Sequence, residues 1–230
     1  GVPKDAAEAF GWYHRAANTD HGPAQYWLGM LYEFGRGVAV DLDKATGWYQ
    51  RAAESLKQAA DREDAEAQFL LGEMLLWARG IPGDEPEAMK WFLKAARQEH
   101  GEAQYRLAML YHNRGGVDQN VAKAVRWYTA AAQLGHEKAQ YRLAEMLRKG
   151  DGIETDYAEA AFWYRPVAES GHARSQYLLG KMYEKGLGVD RNAMEAIRWY
   201  RAAAEQGHSK ALYSLGRIYA RGSGSVEKDT

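Results

Sequence analysis

Apolar residues along this chain of 230 residues recur on one helical face, at intervals of four and eight positions. The pattern is clearest in six segments, each with a small first residue, an aromatic residue two positions later and a leucine four positions later. Spacings of four and eight bring side chains onto one side of an α-helix. Each segment therefore predicts a helix, called helix A here. The first residues of the six are Ala24, Ala67, Ala103, Ala139, Ser175 and Ala211.

A second kind of segment alternates with helix A and carries a Trp-Tyr or Trp-Phe pair. Its six tryptophans are separated by 36 residues, except for one gap of 43, and they are Trp12, Trp48, Trp91, Trp127, Trp163 and Trp199. An alanine three residues before each tryptophan and another five residues after it permit close helix contact, while the tryptophan fills the gap. Seven residues before each tryptophan stands an Asp or Asn, the type that caps a helix N-terminus. These caps predict a second helix, helix B, starting after Asp5, Asp41, Asp84, Asn120, Asp156 and Asn192.

This fixed period predicts the architecture. Self-similarity every 20–50 residues is typical of a solenoid, in which each unit buries its apolar face by stacking on its neighbours. We therefore predict an all-α fold, an α-α superhelix of about twelve antiparallel helices that forms a single array over 1–230. Helix A runs out into glycines such as Gly35 and Gly37, where a positive φ is available to end it.

The repeat also has a known counterpart. The pattern A-x-x-x-L-G-x-x-Y-x-x-G-x-G-V-x-x-D-x-x-K-A-x-x-W-Y-x-x-A-A is nearly literal from Ala24 to Ala53, and again from Gln176 to Ala204. It resembles the Sel1-like repeat, a 36-residue relative of the tetratricopeptide repeat, and the resemblance covers essentially the whole chain. It implies a right-handed superhelix that serves as a non-enzymatic adaptor between proteins in signalling, regulation or complex assembly. It implies no catalytic residue, and it favours a bacterial origin.

Positions that vary between repeats are the candidates for function, because packing explains the fixed ones. The third, sixth and tenth residues after the start of helix A share a face, which the resemblance to tetratricopeptide arrays implies is the concave lining. This lining grades from aromatic to basic, which predicts a protein or peptide partner with an apolar anchor and an acidic stretch. The alternative is that its tryptophans pack against N-terminal units outside this sequence or against neighbouring side chains, and that its cations form a solvated face. The candidate partner-binding residues are Trp27, Met30, Phe34, Leu70, Trp77, Arg106, Arg142, Lys149, Lys181 and Arg217.

The longer second repeat holds seven additional residues, within the segment 54–64. Seven residues are close to two helical turns, so we expect an extended, protruding helix that contacts a partner or a second copy of the chain. A neutral insertion is the alternative. We expect residues 223–230 to be a flexible tail. Since the sequence opens just before a helix B and closes after a helix A, we expect it to be a fragment of a longer chain.

The remaining features limit the chemistry. The 30 basic and 31 acidic residues nearly cancel, which argues against nucleic-acid binding by net charge. No apolar run approaches the ~20 residues that cross a bilayer, so we expect no membrane insertion. The absence of cysteine excludes disulfide-stapled repeats and leaves the periplasm, cell envelope and cytoplasm open. We expect no metal or other cofactor.

Two further sequence features have simple explanations. Five histidines recur nine residues after a tryptophan, and we interpret them as structural turn residues because neighbouring units lie too far apart to share a metal. The S-x-x-K spacing of Ser225 and Lys228 is interpreted as chance, because its companion motifs are absent. A carbohydrate-binding or polysaccharide-associated module, or an enzyme accessory subunit, is the alternative function, because aromatic rings also stack on sugars. The five histidines are His21, His100, His136, His172 and His208.

Overall fold

The structure, a computed structural model, describes residues 5–113 and 120–220. These residues form twelve α-helices and no strand, as the all-α prediction requires. Helix B and helix A alternate along the chain, so that the odd-numbered helices are of type B and the even-numbered ones of type A. The helices are α1 (Ala6–Ala17), α2 (Gly22–Phe34), α3 (Leu42–Asp61), α4 (Ala65–Leu76), α5 (Glu85–Arg97), α6 (Gly101–Asn113), α7 (Val121–Gln133), α8 (Glu137–Lys149), α9 (Tyr157–Glu169), α10 (Ala173–Lys185), α11 (Ala193–Glu205) and α12 (Ser209–Ala220).

The chain divides into two compact units, residues 1–107 and residues 108–230, called unit 1 and unit 2 below. Within each unit, helices that follow one another in sequence pack against each other, as α2 does on α3 and α10 on α11. Because each unit is compact by itself, one continuous array over 1–230 stays a prediction. The expected tail at 223–230, with Ser225 and Lys228, lies outside the described residues.

The predicted caps of helix B are confirmed. In each case an Asp or Asn side chain accepts backbone N–H groups of the first turn, as when Asp41 Oδ1 accepts the Lys44 N–H at 2.9 Å. Helix A has a different cap. The Nδ1 atom of a histidine accepts a hydrogen bond from the backbone N–H three residues later. At His172 this contact, to the Ser175 N–H, measures 3.2 Å. The recurring histidines therefore act as helix caps, and Asp64 takes their place in the second repeat.

The interior shows why the repeat needs small residues. A Cβ added at Gly29 of α2 would lie 2.7 Å from the Tyr49 ring of α3, and one added at Gly72 would lie 2.6 Å from the Phe92 ring. Tyr49 and Phe92, which each directly follow a helix-B tryptophan, therefore fill the gaps between these helices. The tryptophans were expected there, but Trp12 is 61% exposed. The expectation that the tryptophan fills the gap is therefore wrong for Trp12, whose side chain lies on the surface of unit 1.

The longer repeat has a physical explanation in α3, which spans 20 residues where most helices have 12 or 13. Leu56 is fully buried and packs on Gly22, at the start of α2. The side-chain amide of Gln68 donates to the Ala60 carbonyl at 3.1 Å, a bond that other repeats make to an alanine about two turns earlier in helix B. The inner face of the segment is therefore packed and does not project freely. Self-association through 54–64 stays a prediction.

Candidate functional site

Three large aromatic side chains of unit 1 are exposed on successive helices of type A. Trp27 and Phe34 lie seven residues apart on α2, about 10 Å along its axis, and are 38% and 47% exposed. Trp77 directly follows α4 and is 56% exposed. It occupies the same repeat position as Phe34. We call these three side chains the aromatic surface.

Arg79 holds the segment after α4 against α2. Its Nη1 donates to the Tyr26 hydroxyl at 3.0 Å and its Nε donates to Glu33 Oε2 at 3.1 Å. The same guanidinium lies 5.8 Å from the centre of the Phe34 ring. The Tyr26 ring in turn meets Trp27 edge-on, with ring centres 5.4 Å apart. Arg79 thus contacts the exposed Phe34 ring directly and is connected to Trp27 through Tyr26.

A buried carboxylate, Glu73, connects Trp77 to this network. It forms an ion pair with Arg106, whose Nη2 donates to Oε2 at 3.0 Å and whose Nε lies 2.8 Å from Oε1, and the Trp77 side chain acts to lower its pKa. Burial raises the pKa of Glu73, and the charge of Arg106 only partly offsets this. Burial also raises the pKa of Tyr26, which lies in the fields of Arg79 and Glu73. The side chains that support the aromatic surface are therefore fixed by charge-assisted hydrogen bonds.

The backbone beneath the aromatic surface is strained at one residue. Ala78, between Trp77 and Arg79, has φ +52°, whereas Gly35, Gly150 and Gly186 occupy the equivalent position in other repeats. An alanine in this left-handed region costs about 1–2 kcal/mol because its Cβ approaches the following carbonyl. Such strain persists only where the surrounding contacts enforce it, and here the bonds of Arg79 lie directly after the residue.

One predicted lining residue is not on the surface. Leu70 is fully buried, so it packs in the interior of unit 1 and its assignment to the binding surface is wrong. Met30 is half-buried on α2. Periodicity placed Leu70 on the same helical face as Trp77, but it did not show how closely the adjacent helices cover the middle of that face.

The predicted basic residues fall into two classes. Arg106, Lys149 and Arg217 are paired with the glutamates of helix A, since Lys149 Nζ lies 2.6 Å from Glu145 and Arg217 contacts Glu184. Arg142 and Lys181 have no carboxylate partner in the described part of the chain. The basic end of the lining therefore carries less free charge than its composition indicates.

Sequence reasoning missed Arg79 and Glu33. Glu33 accepts a hydrogen bond from the Tyr49 hydroxyl, and Glu184, at the same repeat position, accepts one from Tyr200 at 2.6 Å. The recurrence of a glutamate 16 residues before the tyrosine of helix B was the available signal. Nothing comparable marked Arg79, because its position varies between repeats.

Across residues 5–113 and 120–220, no group of three or more His, Asp or Glu side chains could hold a metal ion. Over the same residues, no helix is long and apolar enough to cross a membrane.

Comparison with known families identifies a single repeat family, which matches seven segments of the chain. The family model described as Sel1 repeat matches residues 1–21, 22–55, 65–100, 101–136, 137–172, 173–208 and 209–230. Five of these segments hold a helix A and the helix B that follows it, and the first and last each hold a single helix among their described residues. The unmatched residues 56–64 fall within the insertion. No curated protein matches the chain significantly.

Solved structures give the same fold. A Sel1 repeat protein from Oxalobacter formigenes is 28% identical with a TM-score of 0.65, over 93% of this chain and 70% of that one. A Sel1 repeat protein from Klebsiella pneumoniae is 22% identical with a TM-score of 0.53, over 91% and 98%. Immunity protein Pa5087 from Pseudomonas aeruginosa is 17% identical with a TM-score of 0.58, over 90% and 77%. The last two show the fold alone.

Proposed function

Because the chain belongs to the Sel1 repeat family, whose members generally mediate protein interactions, we propose that it is a non-enzymatic scaffold for a protein or peptide partner. The aromatic surface of unit 1 is the proposed binding site, with Trp27, Phe34 and Trp77 as its anchors. The observation that carries this proposal is the exposure of three large rings whose neighbours are held by ion pairs. Phe34 contacts Arg79, Trp27 contacts Tyr26, and Trp77 interacts with Glu73.

The energetics of interfaces support this choice of anchors. Tryptophan and tyrosine dominate interface hot spots because they bury a large area at a small entropic cost. Trp27 and Trp77 are also the two tryptophans outside the repeat motif, so the packing of the repeat does not explain them. Fixed rings lose little further freedom when a partner binds, which favours affinity. The adaptor role in signalling, regulation or assembly is part of the same proposal.

Partner capture from a lysate of the source organism tests the proposed surface. The bait is the full chain, and mass spectrometry compares the native protein with a Trp27→Ala, Trp77→Ala variant. Trp12→Ala is the matched control, because Trp12 is also exposed in unit 1 but belongs to the repeat motif. Circular dichroism checks that all baits are folded.

We expect a protein that the native bait and the Trp12→Ala bait retain and the double variant loses. Equal retention by all three baits would remove the aromatic surface as the site. Retention of glycans in place of a protein would favour the carbohydrate-binding alternative.

A further inference from the structure

A cavity of about 560 Å³ in unit 2 is lined by four cationic side chains and no carboxylate. It lies between α10 and the start of α12, with one contribution from α8. Arg174 and Lys181 come from α10, Lys210 from α12 and Arg148 from α8. The rings of Tyr177 and His208, stacked with centres 4.9 Å apart, form part of its wall. We call this cavity the cationic pocket.

The positive charge of the cationic pocket is only partly neutralised. Glu145 lies behind it and accepts hydrogen bonds from Arg148 at 3.1 and 3.2 Å. Glu145 also holds Lys149 at 2.6 Å, while Arg174 remains 3.9 Å away and 59% exposed. One carboxylate thus faces three cations.

Lys181 and Lys210 add two further charges to the cationic pocket. Neither has a carboxylate partner among the residues that the structure describes, so their charge is available to a ligand. Together with Arg174, which makes no close ion pair, they leave an excess of positive charge in the cationic pocket. This excess distinguishes the pocket from a solvated face of paired ions.

The start of α12 adds hydrogen-bond donors to the same cavity. The Ala211 N–H donates a hydrogen bond to the ring of His208. The N–H groups of Ser209 and Lys210 donate to no acceptor in the described part of the chain. Both residues line the cavity. A helix N-terminus carries partial positive charge and favours anions, so it acts here in the same direction as the four cationic side chains.

We propose that the cationic pocket binds successive carboxylates of an acidic segment in the partner protein. Arg174 and Lys181 are seven residues apart, which separates their backbone positions by about 10 Å along α10. One small anion cannot contact cations so widely spaced. In an extended peptide, side chains on the same side recur every ~7 Å, so two or three successive carboxylates can reach across this ~10 Å spacing. This inference rests on the proposed scaffold function and specifies the chemistry of part of the partner.

Fluorescence anisotropy with a fluorescein-labelled hexaglutamate peptide tests the proposal on the full chain. The pocket variant is Lys181→Glu, Lys210→Glu. The matched control is Lys123→Glu, Lys138→Glu, which makes the same change in net charge at exposed positions of unit 2 outside the pocket. Both control sites lie in the first turn of a helix, where glutamate is favourable.

We expect the native chain to bind the peptide, with affinity falling about tenfold or more in the pocket variant and less than about twofold in the control. Binding should also weaken as salt rises. Equal losses in both variants, or no binding by the native chain, would overturn the proposal. Displacement of the peptide by inorganic phosphate at a lower concentration than unlabelled hexaglutamate would also overturn it, by assigning the pocket to a phosphate group.

This test is independent of the aromatic surface. A failure of hexaglutamate binding with Trp27 and Trp77 still required for partner capture would remove the cationic pocket and leave the scaffold function in place. Binding of hexaglutamate at the pocket, with partner capture unaffected by the two tryptophan substitutions, would keep the cationic pocket and remove the aromatic surface as a binding site.

Discussion

Glu73 and Glu145 occupy the same position of helix A in two different repeats, yet their surroundings shift their pKa values in opposite directions. Burial raises the pKa of Glu73 above its ordinary value of 4.5, and the charge of Arg106 does not fully offset it. Burial acts the same way on Glu145, but hydrogen bonds from Lys149 and Tyr164 outweigh it and hold the pKa below 4.5. The two carboxylates should therefore contribute to stability with opposite dependence on pH.

The sign follows from which protonation state the folded protein favours. The folded chain favours ionised Glu145, so its contribution is present above pH 4.5 and is lost as the pH falls through the lowered pKa. It disfavours ionised Glu73, so that residue's contribution is present below pH 4.5 and is lost as the pH rises through the raised pKa. Replacing each glutamate by glutamine, a neutral side chain of the same size, tests the pH dependence of both contributions.

The magnitudes come from the bonds that each carboxylate makes. Glu145 accepts charge-assisted hydrogen bonds from Arg148 and Lys149 and one from Tyr164. Because Arg148 and Lys149 also reach solvent, Glu145→Gln should lower the free energy of unfolding by about 1–3 kcal/mol at neutral pH. Glu73→Gln removes a buried charge but leaves Arg106 unpaired. Removing one partner of a fully buried ion pair is strongly destabilising. Here the Arg106 side chain is 27% exposed and burial already disfavours the ionised form of Glu73, so the two effects largely cancel and the change at neutral pH should stay within about 1 kcal/mol of zero.

Urea unfolding followed by circular dichroism, at neutral pH and at about pH 4, measures both variants against the native chain. The loss caused by Glu145→Gln should shrink on acidification, whereas Glu73→Gln should become less favourable relative to the native chain. If the two stability differences change in the same direction with pH, the assigned electrostatic environments are wrong.

Three further predictions concern stability and use the same urea assay. Leu56→Ala should cost about 2–5 kcal/mol because its side chain is fully buried in the helix extension, whereas the exposed Glu54→Ala should change little; equal small effects would show that the extension is not packed. Ala78→Gly should stabilise the chain by about 1 kcal/mol by relieving the positive φ, and destabilisation would contradict the strain. His172→Ala should cost about 1 kcal/mol through the lost helix cap, which His172→Asn should largely retain; equal losses would remove the capping role.

The helices and their caps were predictable from sequence because local rules determine them. A cap needs only its own side chain and the next three residues, so Asp41 and Asp156 could be identified by their spacing from the motif tryptophans. The small residue that recurs in helix A could also be identified, but the side chain that requires it to be small could not. The clash that Gly29 avoids is with Tyr49, and only the packed structure shows that this ring fills the gap.

The candidate site was less predictable because it depends on contacts between distant residues. Periodicity identified Trp27 and Trp77 as exceptions to the repeat, but it also assigned the buried Leu70 to the same surface. It assigned Arg106 to the partner-binding lining without indicating its ion pair with Glu73, because the partner of a charged residue on another helix is not visible along one helix face. Arg79 supports the aromatic surface through Tyr26, 53 positions earlier, a pairing that no local pattern indicates.

The affinity of the purified captured partner, measured by isothermal titration calorimetry, tests the proposed binding site most directly. The native chain is compared with Trp27→Ala, Trp77→Ala and the control Trp12→Ala. We expect each of the two surface variants to lose about tenfold or more in affinity, as hot-spot residues do, and the control to stay within about twofold of the native value. Equal affinities for all four proteins would contradict the aromatic surface as the binding site.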